Sequence, residues 1–285
     1  KDEEFAAGSG LTFKTITPRQ LADLCLLAKI WGFIKYYHPE VAAGRLQWDY
    51  ELFRIMPAVW DAPTARERNE RLAAWVNHLN RNLSVEASAL TIPDTTGLYS
   101  SPVLGWTDDY SELGSELVSE LHKIKQADRA GWNYYIRFDN RLASLFPDEF
   151  MAEKRYPSVS WQDAGYRVLT LFRYWNAIAY CYPYRQETGS DWEKVLEKYL
   201  SVFIGAESES DYLDAVYALT AEINDSHGWM RSTKPYMFAA LFDEAGHDVL
   251  VKKSYSCQLQ AGDVLLRIGG KEVDEVIAER QRLVN

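Results

Sequence analysis

Histidine is the first residue type to examine for chemistry, because its ring titrates near neutral pH and readily binds metals. The chain contains five of them: His38, His78, His122, His227 and His247. None lies in an HExxH motif or at the Cys/His spacing that is typical of zinc sites. We therefore predict no metal site and no bound cofactor.

One histidine has a chemically suitable neighbour. Ser226 and His227 follow Asp225, at the point where the last helix of the predicted helical region should end. A hydroxyl beside an imidazole can act as a nucleophile with its base, so Ser226 and His227 are the candidate catalytic residues. The alternative is a polar cap on the end of a helix. The residues alone complete no catalytic site, since GxSxG, phosphate-loop and dinucleotide motifs are all missing.

Composition narrows the classes of protein to consider. The formal net charge is −10 and Lys and Arg do not cluster, which argues against a nucleic-acid partner. No apolar run approaches the roughly 20 residues that a membrane span needs. Three scattered cysteines form no disulfide framework. These features predict a globular chain without nucleic-acid binding and without a membrane span.

The elements that position these residues contain a repeat. A stretch of apolar and aromatic residues occurs twice at a constant offset of 144 positions, with Trp31, Ile34, Tyr36, Pro39, Trp48 and Leu52 recurring as Trp175, Ile178, Tyr180, Pro183, Trp192 and Leu196. Helix-capping residues recur as well, with Thr64 in the first copy and Ser208 in the second. An ungapped match of this kind predicts a duplicated unit. The alternative is two unrelated amphipathic helices that are both rich in Trp and Tyr.

The repeat sets the predicted domain organisation. Each copy should form three helices, since apolar residues recur at three- and four-residue steps between caps and prolines. Thr17 and Pro18 should begin the first helix, Pro39 should end it before a loop through Gly44, and Ser190 should cap the second helix of repeat two. We predict a flexible leader over 1–16 and a helical domain over 17–232. Within that domain, repeat one covers 17–83, an insertion covers 84–160 and repeat two covers 161–232. In the insertion we expect a helix near Tyr110–Gln126 and a short strand at Tyr134, Ile136 and Phe138.

The pattern changes from helical to alternating after Lys234. Strand-like segments at Met237–Phe242, Val249–Lys252 and Val264–Ile268 lead to a two-residue turn at Gly269-Gly270. A short helix capped by Asp274 should follow. The sequence therefore predicts an α+β protein, with a mainly helical duplicated domain followed by a small β-rich module over 233–285.

Several of these segments resemble the carboxy-terminal-processing serine peptidases, a tail-specific, tricorn-related family. The segments that carry the resemblance are Trp31-Gly32-Phe33, Lys35–Pro39, Trp48–Arg54, Ala164–Arg167, Leu171–Asn176, Asp225-Ser226-His227 and Gln260–Val273. The first five are similar to the family's N-terminal helical region. The last is similar to the Gly-Asp hairpin of its PDZ module, and we therefore describe 233–285 as a partial PDZ-like module.

The resemblance implies the substrate-handling portion of a bacterial serine endopeptidase, with a nucleophile in a later domain after Asn285. The chain by itself should then be inactive. Its partners would be peptides or unfolded protein C-termini together with that catalytic domain. Its location would be periplasmic or on the outer surface, with lipid anchoring through a removed signal segment as one route. In the tricorn-like branch His227 would supply the general base, and in the Ser–Lys branch it would be structural.

A second class of function stays open on the residues alone. Exposed Trp and Tyr side chains can stack on sugar rings, and the chain has ten Trp and 18 Tyr. A helical-repeat glycan-binding protein of the bacterial surface is therefore the alternative. The Gly-Asp hairpin favours the peptidase, because a sugar-binding helical repeat has no need of it.

Overall fold

The structure is a computed structural model that describes residues 2–13, 15–83, 102–127, 133–136, 153–226, 228, 238–246, 248–256, 258–281 and 283. The chain forms two compact units, which we call unit one (Lys1–Tyr212) and unit two (Leu213–Asn285). The described residues are mainly helical, with a small antiparallel sheet near the C-terminus, which confirms the predicted α+β class. The predicted boundary between 232 and 233 lies outside the described residues.

The helices that precede the strands are α1 (Pro18–Tyr37), α2 (Pro39–Ala42), α3 (Trp48–Trp60), α4 (Ala65–Leu79), α5 (Tyr110–Gln126), α6 (Ala164–Cys181), α7 (Trp192–Gly205) and α8 (Glu209–Ala221). Short 3₁₀ turns occur at Asn80–Asn82, Gly105–Asp108 and Arg185–Glu187. The predicted helices of both repeats are present. The additional helix α2 occupies the start of the segment predicted as a loop.

Local chemistry sets where these helices begin. Thr17 and Gln20 form a capping box on α1, in which the Gln20 amide donates to the Thr17 hydroxyl at 3.3 Å and the Thr17 amide donates to the Gln20 side chain at 3.0 Å. At the start of α4 the Glu67 amide donates to the Thr64 hydroxyl at 3.2 Å. The predicted cap at Ser190 was wrong by one residue. The Asp191 carboxylate accepts the first free amides of α7, because a carboxylate is the stronger acceptor at a helix N-terminus.

A pair of tryptophans is repeated in the two copies. The indole N–H of Trp31 donates to the Trp48 carbonyl at 3.3 Å, and that of Trp48 donates back to the Trp31 carbonyl at 3.1 Å. Trp175 and Trp192 make the same reciprocal bonds, at 2.6 and 3.0 Å. Trp31 is fully buried and Trp175 is 5% exposed. Both copies therefore pack their first helix on the next long one with the same buried, hydrogen-bonded pair, as the offset predicts.

Equivalent positions of the two copies also meet each other. Asn176 lies so close to its counterpart Gly32 that a Cβ on Gly32 would fall 1.7 Å from the Asn176 amide oxygen. The Asn176 amide nitrogen donates to the carbonyls of Ala28 and Phe172, which are themselves equivalent, at 3.1 and 2.9 Å. Self-contact between matched positions is the signature of twofold symmetry. The two repeats are therefore related by a pseudo-twofold axis that passes between α1 and α6.

The described part of the insertion lies against repeat one. Helix α5 packs on α4, where the buried Arg68 donates to Asp23 of α1 at 2.7 Å and to Glu112 of α5 at 2.7 Å. The strand predicted at Tyr134 and Ile136 was wrong. Residues 133–136 form a turn instead, in which the Tyr134 amide donates to the Ala42 carbonyl at 2.7 Å. Phe138 lies outside the described residues.

The predicted leader makes specific contacts with the helices. The Phe5 ring packs against Tyr50 and Phe53 of α3, with centroids 5.4 and 5.5 Å apart. Ser9 donates through its amide and hydroxyl to Asp163, the N-cap of α6, at 2.7 and 2.5 Å. The described residues of 1–16 therefore cover the start of α6. A short polar segment gives no periodic signal for such contacts.

Unit two contains the strands and the last helix. Strands β1 (Ala240–Ala245), β2 (Asp248–Ser254) and β3 (Val264–Leu265) form an antiparallel sheet in that order, and β4 (Arg267–Ile268) pairs with β5 (Lys271–Glu272). The predicted two-residue turn is present, with φ of +59° at Gly269 and +86° at Gly270. Helix α9 (Val273–Gln281) begins two residues earlier than a cap at Asp274 predicts, so Asp274 lies in its first turn and is not its cap.

Candidate functional site

The structure describes only half of the predicted Ser–His pair. Beyond α8 the chain turns through Asn224, whose φ of +51° is left-handed, and the Gly228 amide donates to the Asp225 carbonyl at 2.8 Å. Ser226 is exposed in this turn. His227 lies outside the described residues. The Ser–His pair therefore stays a prediction. Ser226 lies in the turn after α8, which is the position that its alternative role as part of a polar helix cap requires.

Unit two carries an apolar groove of about 470 Å³ between β1 and α9. Its apolar walls are formed by Phe238, Phe242, Val249, Leu265, Ile268, Val273 and Ile277, and Asp243 and Glu244 add two carboxylates to its lining. We call this feature the apolar groove. Among the described strands β1 pairs with β2 alone, so β1 is an edge strand there. An edge strand beside an apolar groove can accept an extended peptide by main-chain pairing.

Local geometry explains why the groove forms at this place. The Gly269-Gly270 turn reverses the chain between β4 and β5, and the Val273 amide then donates to the Leu266 carbonyl at 2.9 Å as α9 begins. This bond fixes the N-terminus of α9 beside the strands. On the other wall the Phe238 and Phe242 rings meet edge to face, with centroids 5.7 Å apart. Phe238 is 61% exposed, so an apolar ring is available to a ligand.

The groove also has an electrostatic character. Lys252 of β2 donates to Asp243 at 2.9 Å, and this hydrogen bond is the main cause that lowers the pKa of the Asp243 carboxyl. Both groups are largely exposed, so the pair adds little stability. The carboxylates disfavour an anionic group next to β1, and they favour apolar or basic side chains there.

Unit one contains a second concentration of chemistry that sequence reasoning missed. Lys35 is fully buried and its ammonium donates to Glu153, while Arg173 donates to Asp49 at 2.5 and 3.2 Å and lies 3.1 Å from Glu153. We call Lys35, Asp49, Glu153 and Arg173 the buried ionic cluster. Its members come from α1, α3, α6 and the insertion. Nothing in their local spacing brings them together.

The electrostatics of the cluster follow from burial and pairing. Burial is the largest influence on Lys35 and lowers its pKa, although Glu153 and Asp49 oppose that shift. Burial alone would raise the pKa of Asp49, but Arg173, Lys35 and a 2.6 Å bond from the Tyr156 hydroxyl lower it overall. Two acids thus face two cations at hydrogen-bonding distance. Because Arg173 belongs to repeat two and Asp49 to repeat one, the cluster joins the two repeats. A cleft of about 570 Å³ borders it, lined in part by Tyr134, Tyr135 and Lys154.

A metal site and a membrane-spanning helix are both absent from the residues that the structure describes. No group of three or more His, Cys, Asp and Glu side chains there could hold a metal ion. None of the helices in the described ranges combines the length and apolar character needed to cross a bilayer.

Comparison with known proteins adds no assignment. Neither a family model, nor a curated protein, nor a solved structure matches this chain.

Proposed function

We propose that this chain is the scaffold and peptide-handling portion of a secreted or periplasmic serine endopeptidase of the carboxy-terminal-processing type. In this proposal unit two binds an extended peptide, unit one is the helical scaffold, and a further part of the protein supplies the nucleophilic serine. The observation that carries the proposal is the apolar groove beside the edge strand β1. The resemblance of Gln260–Val273 to a PDZ hairpin supports it independently.

The contacts suggest how a peptide would bind. Its backbone would pair with the outer edge of β1, and one apolar side chain would enter the groove between Phe238, Phe242 and Ile277. The PDZ resemblance implies capture of a terminal carboxylate by backbone amides. Asp243 and Glu244 would repel such a carboxylate at their end of the groove, so the terminus should lie away from them.

Ser226 and His227 have a defined place in this proposal. Hydrolysis needs an activated serine and a base, and in the proposal His227 contributes only when the catalytic domain covers it. The exposed position of Ser226 is compatible with covering by another domain, and equally with a polar turn. The glycan-binding alternative draws partial support, since Tyr110, Tyr184 and Tyr255 are exposed while no Trp side chain in the described ranges is.

The test is peptide binding to the intact 285-residue chain by fluorescence anisotropy. A peptide that ends in an apolar residue should bind, and Phe238→Asp should weaken binding by about tenfold or more, because a charge would replace an apolar contact. Leu266→Asp is the matched control, since Leu266 is 66% exposed and does not line the groove. The amidated form of the peptide tests recognition of the terminal carboxylate.

Two results would count against the proposal. Equal losses in the Phe238 and Leu266 variants would show that the groove is not the binding site. Absence of binding for every apolar-ended peptide, with both variants folded, would remove the peptide-handling role itself.

A further inference from the structure

The pseudo-twofold axis allows the same place to be compared in the two repeats. In repeat one the Lys35 side chain crosses the aromatic rings beside the tryptophan pair, with its ammonium 4.9 Å from the Trp31 centroid and 5.8 Å from that of Tyr36. Tyr135 of the insertion closes the other side at 4.6 Å. An alkyl chain with a terminal cation therefore fills this space, held by cation–π contacts and by Glu153.

In repeat two the matching space is open. Ala179 stands at the position equivalent to Lys35, and a cavity of about 150 Å³ lies beside it. The cavity is lined by Trp175, Tyr180 and Trp192, the counterparts of Trp31, Tyr36 and Trp48, and by Trp106 from the insertion. We call it the tryptophan cavity. The aromatic walls are thus retained while the side chain that fills them in repeat one is absent.

The charged side chains around the cavity also have counterparts at the matching place in repeat one. Lys29 and Glu193 pair at 2.8 Å, in the positions equivalent to Arg173 and Asp49. Repeat one adds a second acid, Glu153, which binds the Lys35 ammonium. Repeat two also has a second acid, since Asp191 lines the cavity, and none of the described cations lies within ion-pair distance of its carboxylate.

Among the described residues that line the tryptophan cavity, Arg185 is the one further cation. Its guanidinium donates to the Ala179 carbonyl at the end of α6. It therefore borders the cavity and leaves the 150 Å³ beside Ala179 open.

We propose that the tryptophan cavity binds a primary alkylammonium group on an aliphatic chain, in the place that Lys35 occupies in repeat one. The chemistry fits two sources, the side chain of a lysine residue in a peptide and a free alkylamine. In either case the chain lies against Trp175 and Tyr180, and the ammonium is held by Asp191 and Glu193. Every residue involved belongs to unit one, so this proposal is independent of peptide binding by the apolar groove.

The test follows the indole N–H resonances of Trp175 and Trp192 by NMR during titration of the intact chain. N-acetyl-lysine-N-methylamide should shift both resonances. N-acetyl-norleucine-N-methylamide, of similar shape but uncharged, should bind about tenfold or more weakly, since it lacks the ammonium. Butylammonium separates the sources, because equal affinity means that the ammonium chain alone is recognised and weaker affinity means that the peptide groups contribute.

Two variants at Ala179 test whether a lysine side chain can fill the tryptophan cavity as Lys35 fills the matching space in repeat one. Ala179→Lys should fill the cavity from within, as Lys35 does, and abolish the titration shifts. Ala179→Met is the control, since it adds similar volume without charge, and Ala179→Lys should melt no lower than this control.

The proposal would be overturned if the lysine derivative shifted neither indole resonance, or if the norleucine derivative bound with equal affinity. It would also be overturned if glucose, which carries no ammonium group, shifted the same resonances. The first two titrations use the unaltered chain, so they decide the matter even if a variant fails to fold.

Discussion

The two repeats place the same ion pair in different surroundings. Arg173 of repeat two pairs with Asp49 of repeat one, and at the equivalent positions Lys29 of repeat one pairs with Glu193 of repeat two. Each cation therefore reaches across to the opposite repeat. The first pair is covered by the insertion, so that Asp49 is 5% exposed, whereas Glu193 is 68% exposed. The comparison shows that a duplicated scaffold can hold a buried ion pair at one place and an exposed ion pair beside an open cavity at the equivalent place. The difference comes from the covering segments and from Lys35 in place of Ala179.

The largest expected effect tests the feature that the halves share. Trp31→Ala and Trp175→Ala should each lower the free energy of unfolding by about 3–5 kcal/mol, because each removes a buried indole and its hydrogen bond. Urea denaturation followed by circular dichroism measures both. A cost below about 1 kcal/mol for either one would contradict equivalence of the two pairs.

The second prediction sharpens the contrast between the ion pairs. Arg173→Met should cost about 3 kcal/mol, because it leaves the buried Asp49 without its cation, and the 21% exposure of Arg173 moderates the loss. Lys29→Met removes the equivalent cation and should cost about 0–1 kcal/mol, since Glu193 remains solvated. The same denaturation experiment compares them. Equal costs would mean that burial of Asp49 has no energetic consequence.

The third prediction tests the pseudo-twofold axis. Gly32→Asn should cost about 1–3 kcal/mol by overpacking against Asn176. The double variant Gly32→Asn with Asn176→Gly should recover part of that loss, because the carbonyls of Ala28 and Phe172 can accept from either helix. Thermal melting of the single and double variants measures the recovery. Additive losses would argue against a twofold relation at this crossing.

The smallest expected effect is on the pH dependence of folding stability, and it again distinguishes the two repeats. His38 is 1% exposed, and burial lowers its pKa below the ordinary value of 6.5. The backbone of Leu79 and the charge of Glu40 oppose that shift. The unfolded chain therefore takes up a proton at higher pH than the folded chain does. The stability linked to His38 is complete above about pH 6.5 and is lost as the pH falls through the folded pKa.

Melting temperatures between pH 7 and pH 5 measure this effect. His38→Gln should flatten the decline, while Tyr182→Phe, at the equivalent position of repeat two, should leave it unchanged. A decline of the same size in the His38 variant would assign the acid sensitivity to other groups.

The extent of successful prediction differs between the fold and the candidate sites. Helix ends followed from Thr17, Pro18, Thr64 and Pro39, because caps and prolines act within one turn of the chain. The glycine turn in unit two followed for the same reason. The strand at Tyr134 was wrong because an alternating pattern over a few residues does not provide a partner strand. The Asn133 side chain stabilises a turn there instead, by accepting the Tyr135 amide at 2.8 Å.

By itself the sequence determined the helices, their buried faces and the existence of two matched copies, since these depend on spacing along one chain. Tertiary structure alone decided which matched positions meet across the axis and which charges become a cluster. Lys35 and Glu153 are 118 residues apart, and Arg173 and Asp49 are 124 apart. Periodicity tells which face of a helix is buried but not which distant side chain lies against it. The buried ionic cluster and the tryptophan cavity are therefore properties of the packed chain.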